Sequence, residues 1–333
     1  MYRKIIAVCG PTAVGKTKFA IEIAKRFNGE IISCDSMQLY KYMDIGSAKP
    51  AKEELLQVKH YMVDEIKPSE NFSVAQYQVL AKKAINDIFS KGKIPVIAGG
   101  TGLYLNSILY DMDFSTPPAE DAEYRKKLYE EAEKYGEYSI YEKLLKLDAK
   151  AAERIHPNNI KKVVRALEAA ELGNGIKDFA ADLRETSEYK SIKVCLNRNR
   201  DELYDRINLR VDMLMSEGLE NEVKKLLAKG LSEENISMKG IGYKELISYF
   251  NGEYDKGEAI RLIKRNTRHL AKRQITWFKR YEDMKWFNIS QYENDCACIE
   301  EITKWLETEI KKLTRSEERR VGKECRSRWS PYQ

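Results

Sequence analysis

The chain has 333 residues, 43% of them hydrophobic, with a formal net charge of +6. That length and apolar content support a large buried core and exclude a disordered chain; one large domain carrying an insertion, or two domains, fits the length. Six scattered cysteines without a CxxC pair, beside only three histidines (His60, His156, His269), exclude a disulfide scaffold and a structural zinc site.

In chain order, residues 4–9 (KIIAVC) predict a strand, 16–27 a helix closed by Asn28-Gly29, and 30–34 (EIISC) a second strand. Residues 73–89 carry apolar positions at helical spacing, and 93–98 (KIPVIA) predict another strand. Cys9 and Cys34 lie in these apolar runs and are expected to be buried thiols. This alternation argues for an α/β fold, a parallel sheet covered by helices on both faces, with the active site at the carboxyl ends of its strands. After Pro117-Pro118 the texture changes to charged helix, with Glu-to-Lys pairs at i,i+4 (Glu123 with Lys127, Glu130 with Lys134) ending at Gly136. Residues 115–190 are therefore expected to form an all-helical insertion in a core made of 1–114 and 191–314. SIKVCL (191–196) returns to the sheet, and only helices are expected after it. Residues 315–333 hold six basic and three acidic residues without an apolar period; an appended, non-native tail is expected there, a native basic tail being the alternative. No leader-like segment opens the chain and no apolar run approaches the roughly 20 residues needed to span a bilayer, so a cytoplasmic protein without membrane contact is expected.

Between the first strand and helix lies GPTAVGKT, matching G-x-x-x-x-G-K-[ST] through Gly10, Gly15, Lys16 and Thr17. Here Gly10, Pro11, Thr12, Ala13, Val14 and Gly15 shape a loop whose amides face phosphate oxygens at a helix N-terminus. Lys16 neutralises the terminal phosphates, and Thr17 can ligate Mg2+. The loop does not say which reaction follows. Asp35, at the tip of the second strand, is a magnesium ligand or a base acting on the acceptor, and position alone does not separate the two.

Asp35 opens the string DSMQLY (35–40), and other strings follow: MDIGSAKP (43–50), GGTGLY (99–104), RIHPNN with RALE (154–159, 165–168), DELYDRINLRVDML (201–214), GIGYKE (240–245) and TRHLAKRQITWF (267–278). In these, over about residues 4–285, the sequence resembles the tRNA dimethylallyltransferases, also called tRNA isopentenyltransferases. The resemblance implies a P-loop NTPase-like fold and transfer of a dimethylallyl group from dimethylallyl diphosphate to N6 of the adenine 3′ to a tRNA anticodon. The loop would then hold the leaving diphosphate. Asp35 would accept the amine proton, and Lys16, Thr17 with magnesium, and an arginine would stabilise the departing charge. Arg206 and Arg210 are the arginines nominated, since i,i+4 spacing puts both on one helical face.

Thr101, in the glycine-rich turn, is implied as a substrate contact. Ser36, Met37 and Gln38 are candidates to read the adenine, Gln38 having the donor and acceptor an adenine edge needs. Between Arg261 and Arg280 stand eight basic residues and no acidic ones; Arg261, Lys264, Arg265, Arg268 and Lys272 share one face, and a phosphate backbone is the natural partner. Arg268 and Lys272 are nominated for tRNA. So are Asn159, Ile160, Lys161, Lys162 and Val163 in the insertion, where a smaller basic group with Arg165 could grip the same RNA. Asn159 stands where the family pattern usually has an acid, which puts a cap or contact there in question. No zinc-ligand set follows the core, which points to a bacterial-type enzyme, expected to act as a monomer. Two rivals remain: a P-loop small-molecule kinase or nucleotide-dependent phosphotransferase, which leaves the acid-free basic helix without a task, and a non-catalytic RNA-binding module, which leaves Asp35 without one.

Overall fold

The computed structural model describes residues 3–112, 114, 122–171 and 184–328. They form two compact units, Met1–Tyr110 with Glu185–Gln333, and Asp111–Arg184. The first half of the larger unit runs β1 (Lys4–Cys9), α1 (Lys16–Arg26), β2 (Gly29–Cys34), α2 (Lys52–Gln57), β3 (His60–Tyr61), α3 (Val74–Ser90), β4 (Ile94–Gly99) and α4 (Gly102–Leu109). The smaller unit holds α5 (Ala122–Tyr135), α6 (Glu137–Leu147), α7 (Ala149–Arg154) and α8 (Ile160–Glu171). The larger unit resumes with β5 (Lys190–Asn197), α9 (Arg200–Ser216), α10 (Leu219–Ala228), α11 (Tyr243–Phe250), α12 (Lys256–Phe278), β6 (Lys285–Asn288) and α13 (Asp295–Arg328).

All six strands are parallel, in the order β3-β2-β4-β1-β5-β6, giving a P-loop NTPase-like sheet flanked by helices. β1 is buried without a break from Ile5 to Cys9, as a strand covered on both faces must be. The expected strands at 4–9, 30–34, 93–98 and 191–196 are β1, β2, β4 and β5. The expectation of helices only after 196 is corrected by β6, which pairs Val194 to Asn197 with Lys285 to Asn288. KWFN is too short to show a period, and of its side chains only Phe287 is buried.

Register positions the site. Cys9 lies opposite Gly99 and Cys195, and Cys34 lies opposite Gly99, so Gly10, Asp35 and Gly100 all leave the sheet from one row. Gly99 is fixed by this packing, because a Cβ there would lie 2.0 Å from the Cys34 carbonyl oxygen.

The smaller unit closes a core of Leu128, Ile140, Leu144, Val163 and Leu167. Inside it the Arg125 guanidinium donates to buried Glu168 at 2.8 Å. On α5, Glu123 pairs with Lys127 at 3.1 Å as expected, but Glu130 reaches back to Lys126 at 3.8 Å rather than forward to Lys134. The compact unit ends at Arg184 rather than 190, because residues on either side of it pair with each other. Tyr110 bridges antiparallel to Glu185, and the Thr186 amide donates to the Leu109 carbonyl at 3.1 Å. Pro117-Pro118 and residues 172–183 lie outside the described residues. Helix α13 runs through the expected tail boundary at 315 as far as Arg328, and 329–333 lie outside the described residues.

Candidate active site

The phosphate loop is held open by its own backbone and by two arginines. Gly15 caps α1 in the left-handed region (φ 108) and Ala13 also has a positive φ of 64, a conformation that side chains with a Cβ rarely adopt. A Cβ on Gly10 would lie 2.6 Å from the Leu196 carbonyl oxygen, so β5 can pass this closely only under a glycine. Fully buried Val14 anchors the loop in the core. From the other side Arg206 Nε donates to the Ala13 carbonyl at 3.1 Å and Arg198 Nε to the Val14 carbonyl at 3.3 Å. Arg198 is in turn fixed by Glu202 at 2.5 Å and Asp295 at 2.9 Å.

Lys16 turns its ammonium onto the Pro11 carbonyl at 2.8 Å. Burial lowers its pKa to about 8, with Asp35 pulling the other way. Arg210 is likewise pushed down by burial and supported by Asp35. The negative charge of Asp35 thus favours the charged forms of both buried cations, Lys16 and Arg210. Arg206 is exposed and engaged with the loop backbone, so the two arginines of one helical face do different things.

Asp35 Oδ1 accepts from the Met37 amide at 2.8 Å, an Asx turn that fixes the carboxyl's rotamer. Thr101 Oγ1 accepts from the Ser36 amide at 3.1 Å, and the Thr101 amide donates to the Cys34 carbonyl at 3.1 Å. The turn after β4 is thus stitched to the segment after β2. One cavity of about 40 Å³ brings together Lys16, Thr17, Ser33, Asp35, Gln38 and His60 over an apolar floor that includes Ile31 and Ala98. The His60 Nδ1 lies 2.8 Å from the Val58 carbonyl, and burial lowers its proton affinity. Cys9 and Cys34, just beneath, are buried thiols pushed up by desolvation, and they stay protonated.

Gln38, expected to meet an adenine edge, already uses both ends of its amide. Ser33 Oγ donates to its Oε1 at 2.8 Å and its Nε2 donates to the Ala48 carbonyl at 3.3 Å. Met37 packs against Gly240, where a Cβ would lie 2.6 Å from its methyl. Thr17, Ser33 and Asp35 offer oxygen donors on one cavity, which suits magnesium. Among the described residues no group of three or more His, Cys, Asp or Glu could hold a metal ion, so such an ion would take most of its ligands from phosphate and water.

The basic helix is less uniformly available than its sequence implies. Arg261 pairs with Glu258 at 2.5 Å and Lys264 with Asp212 at 2.7 Å, acids lying outside the window 261–280. Arg268 donates to Asn208 Oδ1 at 2.6 Å and lies over the Tyr204 ring. Lys272 and Arg273 are exposed. In the smaller unit Asn159, Lys161 and Lys162 are exposed, and Asn159 caps α8 with a long 3.4 Å bond from the Lys162 amide, so an acid is not required there. Val163 differs from its neighbours: its side chain is fully buried in that unit's core rather than offered to RNA, and Ile160 packs against the same core.

Three further side chains, not evident from the sequence, hold the backbone around the site. Gln274 bridges the loop and the glycine turn, accepting from the Thr12 amide at 2.8 Å and donating to the Gly100 carbonyl at 3.0 Å. Arg198 holds the Val14 carbonyl. Glu222 sits in a nest of three successive amides, Asp44, Ile45 and Gly46, at 2.8, 2.8 and 3.0 Å, and pins the segment that follows Gln38.

Comparison with known proteins shows the family. The sequence profile of the family described as IPP transferase matches residues 38–281. The chain is 50% identical over 307 residues to a tRNA dimethylallyltransferase of Clostridioides difficile, covering 92% of this chain and 98% of that one. It superposes on the full-length tRNA isopentenylpyrophosphate transferase of Bacillus halodurans with a TM-score of 0.72 at 41% identity, covering 95% and 99% of the two chains. A eukaryotic dimethylallyltransferase acting on tRNA gives the same TM-score at 27% identity, covering 86% and 74%. By the extent of these matches, this chain belongs to the IPP transferase family.

Proposed function

We propose that the chain transfers a dimethylallyl group from dimethylallyl diphosphate to N6 of the adenine 3′-adjacent to the anticodon of tRNA. The observation that carries this reading is that one cavity contains both the phosphate-gripping Lys16 and Thr17 and the carboxylate of Asp35. A kinase would place a phosphoryl acceptor there; a prenyl transfer places an amine and an allylic carbon.

The N6 nitrogen forms its bond to the allylic carbon while the carbon–oxygen bond to diphosphate breaks, the electron pair leaving with the diphosphate. Asp35 accepts the amine proton, and its Asx turn keeps the accepting oxygen in place. Lys16 releases the Pro11 carbonyl to meet the diphosphate, and Arg210, whose charge Asp35 favours, stabilises the negative charge of the leaving group. Arg206 and Arg198 keep the loop carbonyls turned away from the phosphate. Thr17 would hold a magnesium ion there, which would supply further charge neutralisation. Thr101 holds the Ser36 amide and so the approach to the base. Gln38 reaches an adenine edge by exchanging the Ala48 carbonyl or the Ser33 hydroxyl for it. The anticodon stem-loop meets Lys272 and Arg273 with Arg268 nearby, and the smaller unit offers Asn159, Lys161 and Lys162; the protein works as a monomer in the cytoplasm.

Incubating the protein with labelled dimethylallyl diphosphate and unmodified tRNA, then analysing the nucleosides, is expected to yield N6-(dimethylallyl)adenosine. Its absence, with phosphate transfer from ATP in its place, would overturn the reading in favour of a kinase.

A further inference from the structure

We infer that Gln274 is a positioning residue of the diphosphate site: it ties the phosphate loop to the glycine turn carrying Thr101 and sets the spacing between them. This rests on the reading of the loop as the diphosphate grip. Gln274 lies on the inner face of α12, near fully buried Ala271 and against the sheet's carboxyl end. Its planar head offers one acceptor and one donor direction, and both are used, the acceptor by the Thr12 amide and the donor by the Gly100 carbonyl. Glutamate lacks the donor, methionine has neither, and asparagine is one methylene short. Among the described residues no other side chain hydrogen-bonds both the loop and the turn.

The two glycines of that turn show how closely α12 is fitted to it. A Cβ on Gly100 would lie 2.3 Å from Gln274 Nε2, and one on Gly102 would lie 2.2 Å from the Trp277 ring. At Gly100 the next neighbour beyond Gln274 is the Gly10 carbonyl oxygen at 3.5 Å, an ordinary contact. Gln274 is therefore the group that an added methyl at 100 displaces. The consequence is geometric. Lys16 and Thr17 are carried by the loop and Thr101 by the turn, so loss of the tie lets donor and acceptor sites drift apart, and a displacement of about 1 Å is enough to cost about 10²-fold in rate.

The test is a double-mutant cycle of Gln274→Ala and Gly100→Ala, read as kcat/KM for dimethylallyl diphosphate at saturating tRNA. Each single variant is expected to lose about tenfold to 10²-fold, and the double variant to lose no more than Q274A alone, because the methyl then has nothing to displace. tRNA affinity and the thermal midpoint are expected to stay near those of the wild type. Losses that multiply in the double variant would overturn the proposal, as would Q274A with an unchanged kcat/KM, or one whose thermal midpoint falls while kcat/KM holds. Titration of all four proteins with inorganic diphosphate reports the loop separately. If the wild type transfers no prenyl group, the functional reading fails while the diphosphate affinities still decide the role of Gln274.

Discussion

The loops at the carboxyl end of the sheet and the outer face of α12 are both rich in charge, yet they are built on opposite terms. In those loops the polar groups are tied down: Asp35 by its Met37 amide, Lys16 by the Pro11 carbonyl, Arg198 and Arg206 by the loop carbonyls, and Thr101 by the Ser36 amide. On α12 the N-terminal cations are neutralised by Glu258 and Asp212, while Lys272 and Arg273 stand in solvent. The difference teaches that charge counted along a sequence is not charge offered to a ligand. A preorganised interior makes each residue worth a great deal, and an exposed face makes each worth a small, salt-screened increment.

That contrast can be broken by substitutions on either side of it. Asp35→Asn is expected to cost about 10² to 10⁴ in kcat, with tRNA affinity intact by filter binding; full turnover would remove Asp35 as the base. Arg210→Met is expected to lower kcat by about 10² to 10³ through weaker stabilisation of the leaving group, measured by single-turnover kinetics. Arg206→Met should cost less, since it grips backbone rather than ligand, and the reverse ranking would exchange their roles. On the outer face, Lys272→Ala with Arg273→Ala should leave kcat alone and flatten the salt dependence of tRNA binding by about 0.7 to 0.9 in slope for each phosphate no longer neutralised. Arg261→Ala, whose charge is already spent on Glu258, should change neither slope nor affinity measurably. If it behaves like Lys272, the division of α12 into a neutralised and an available half is wrong.

The legible parts of the sequence were the local ones. GPTAVGKT lies within a contiguous strand, loop and helix, and Asp35 and Thr101 follow strands whose apolar runs are themselves visible, so parallel register brings them to one edge of the sheet. Gln274 was hidden because its meaning lies in a partner 262 residues away. Glu222 was hidden likewise: an acid on a surface-patterned helix shows nothing of the three amides it will meet. For Val163 a signal existed, since Val163, Val164 and Leu167 repeat at the spacing of a buried face; the neighbouring lysines drew attention outward. β6 gave no signal, because four residues on a sheet edge carry no period.

The crossing at Tyr110 and Glu185 has a consequence for how such a chain can change. The segment 111–184 leaves the sheet unit and returns to it at paired neighbours, with the Asp111 amide donating to the Arg184 carbonyl at 2.9 Å as the last rung. To the sheet, therefore, the whole helical unit is a loop, and doubling a loop's length adds only about 0.6 kcal/mol to the entropy of closing it. That unit can be lengthened, trimmed or exchanged for another helical body without moving a single strand out of register, which makes it the cheapest place in the molecule for an old catalyst to acquire a new grip.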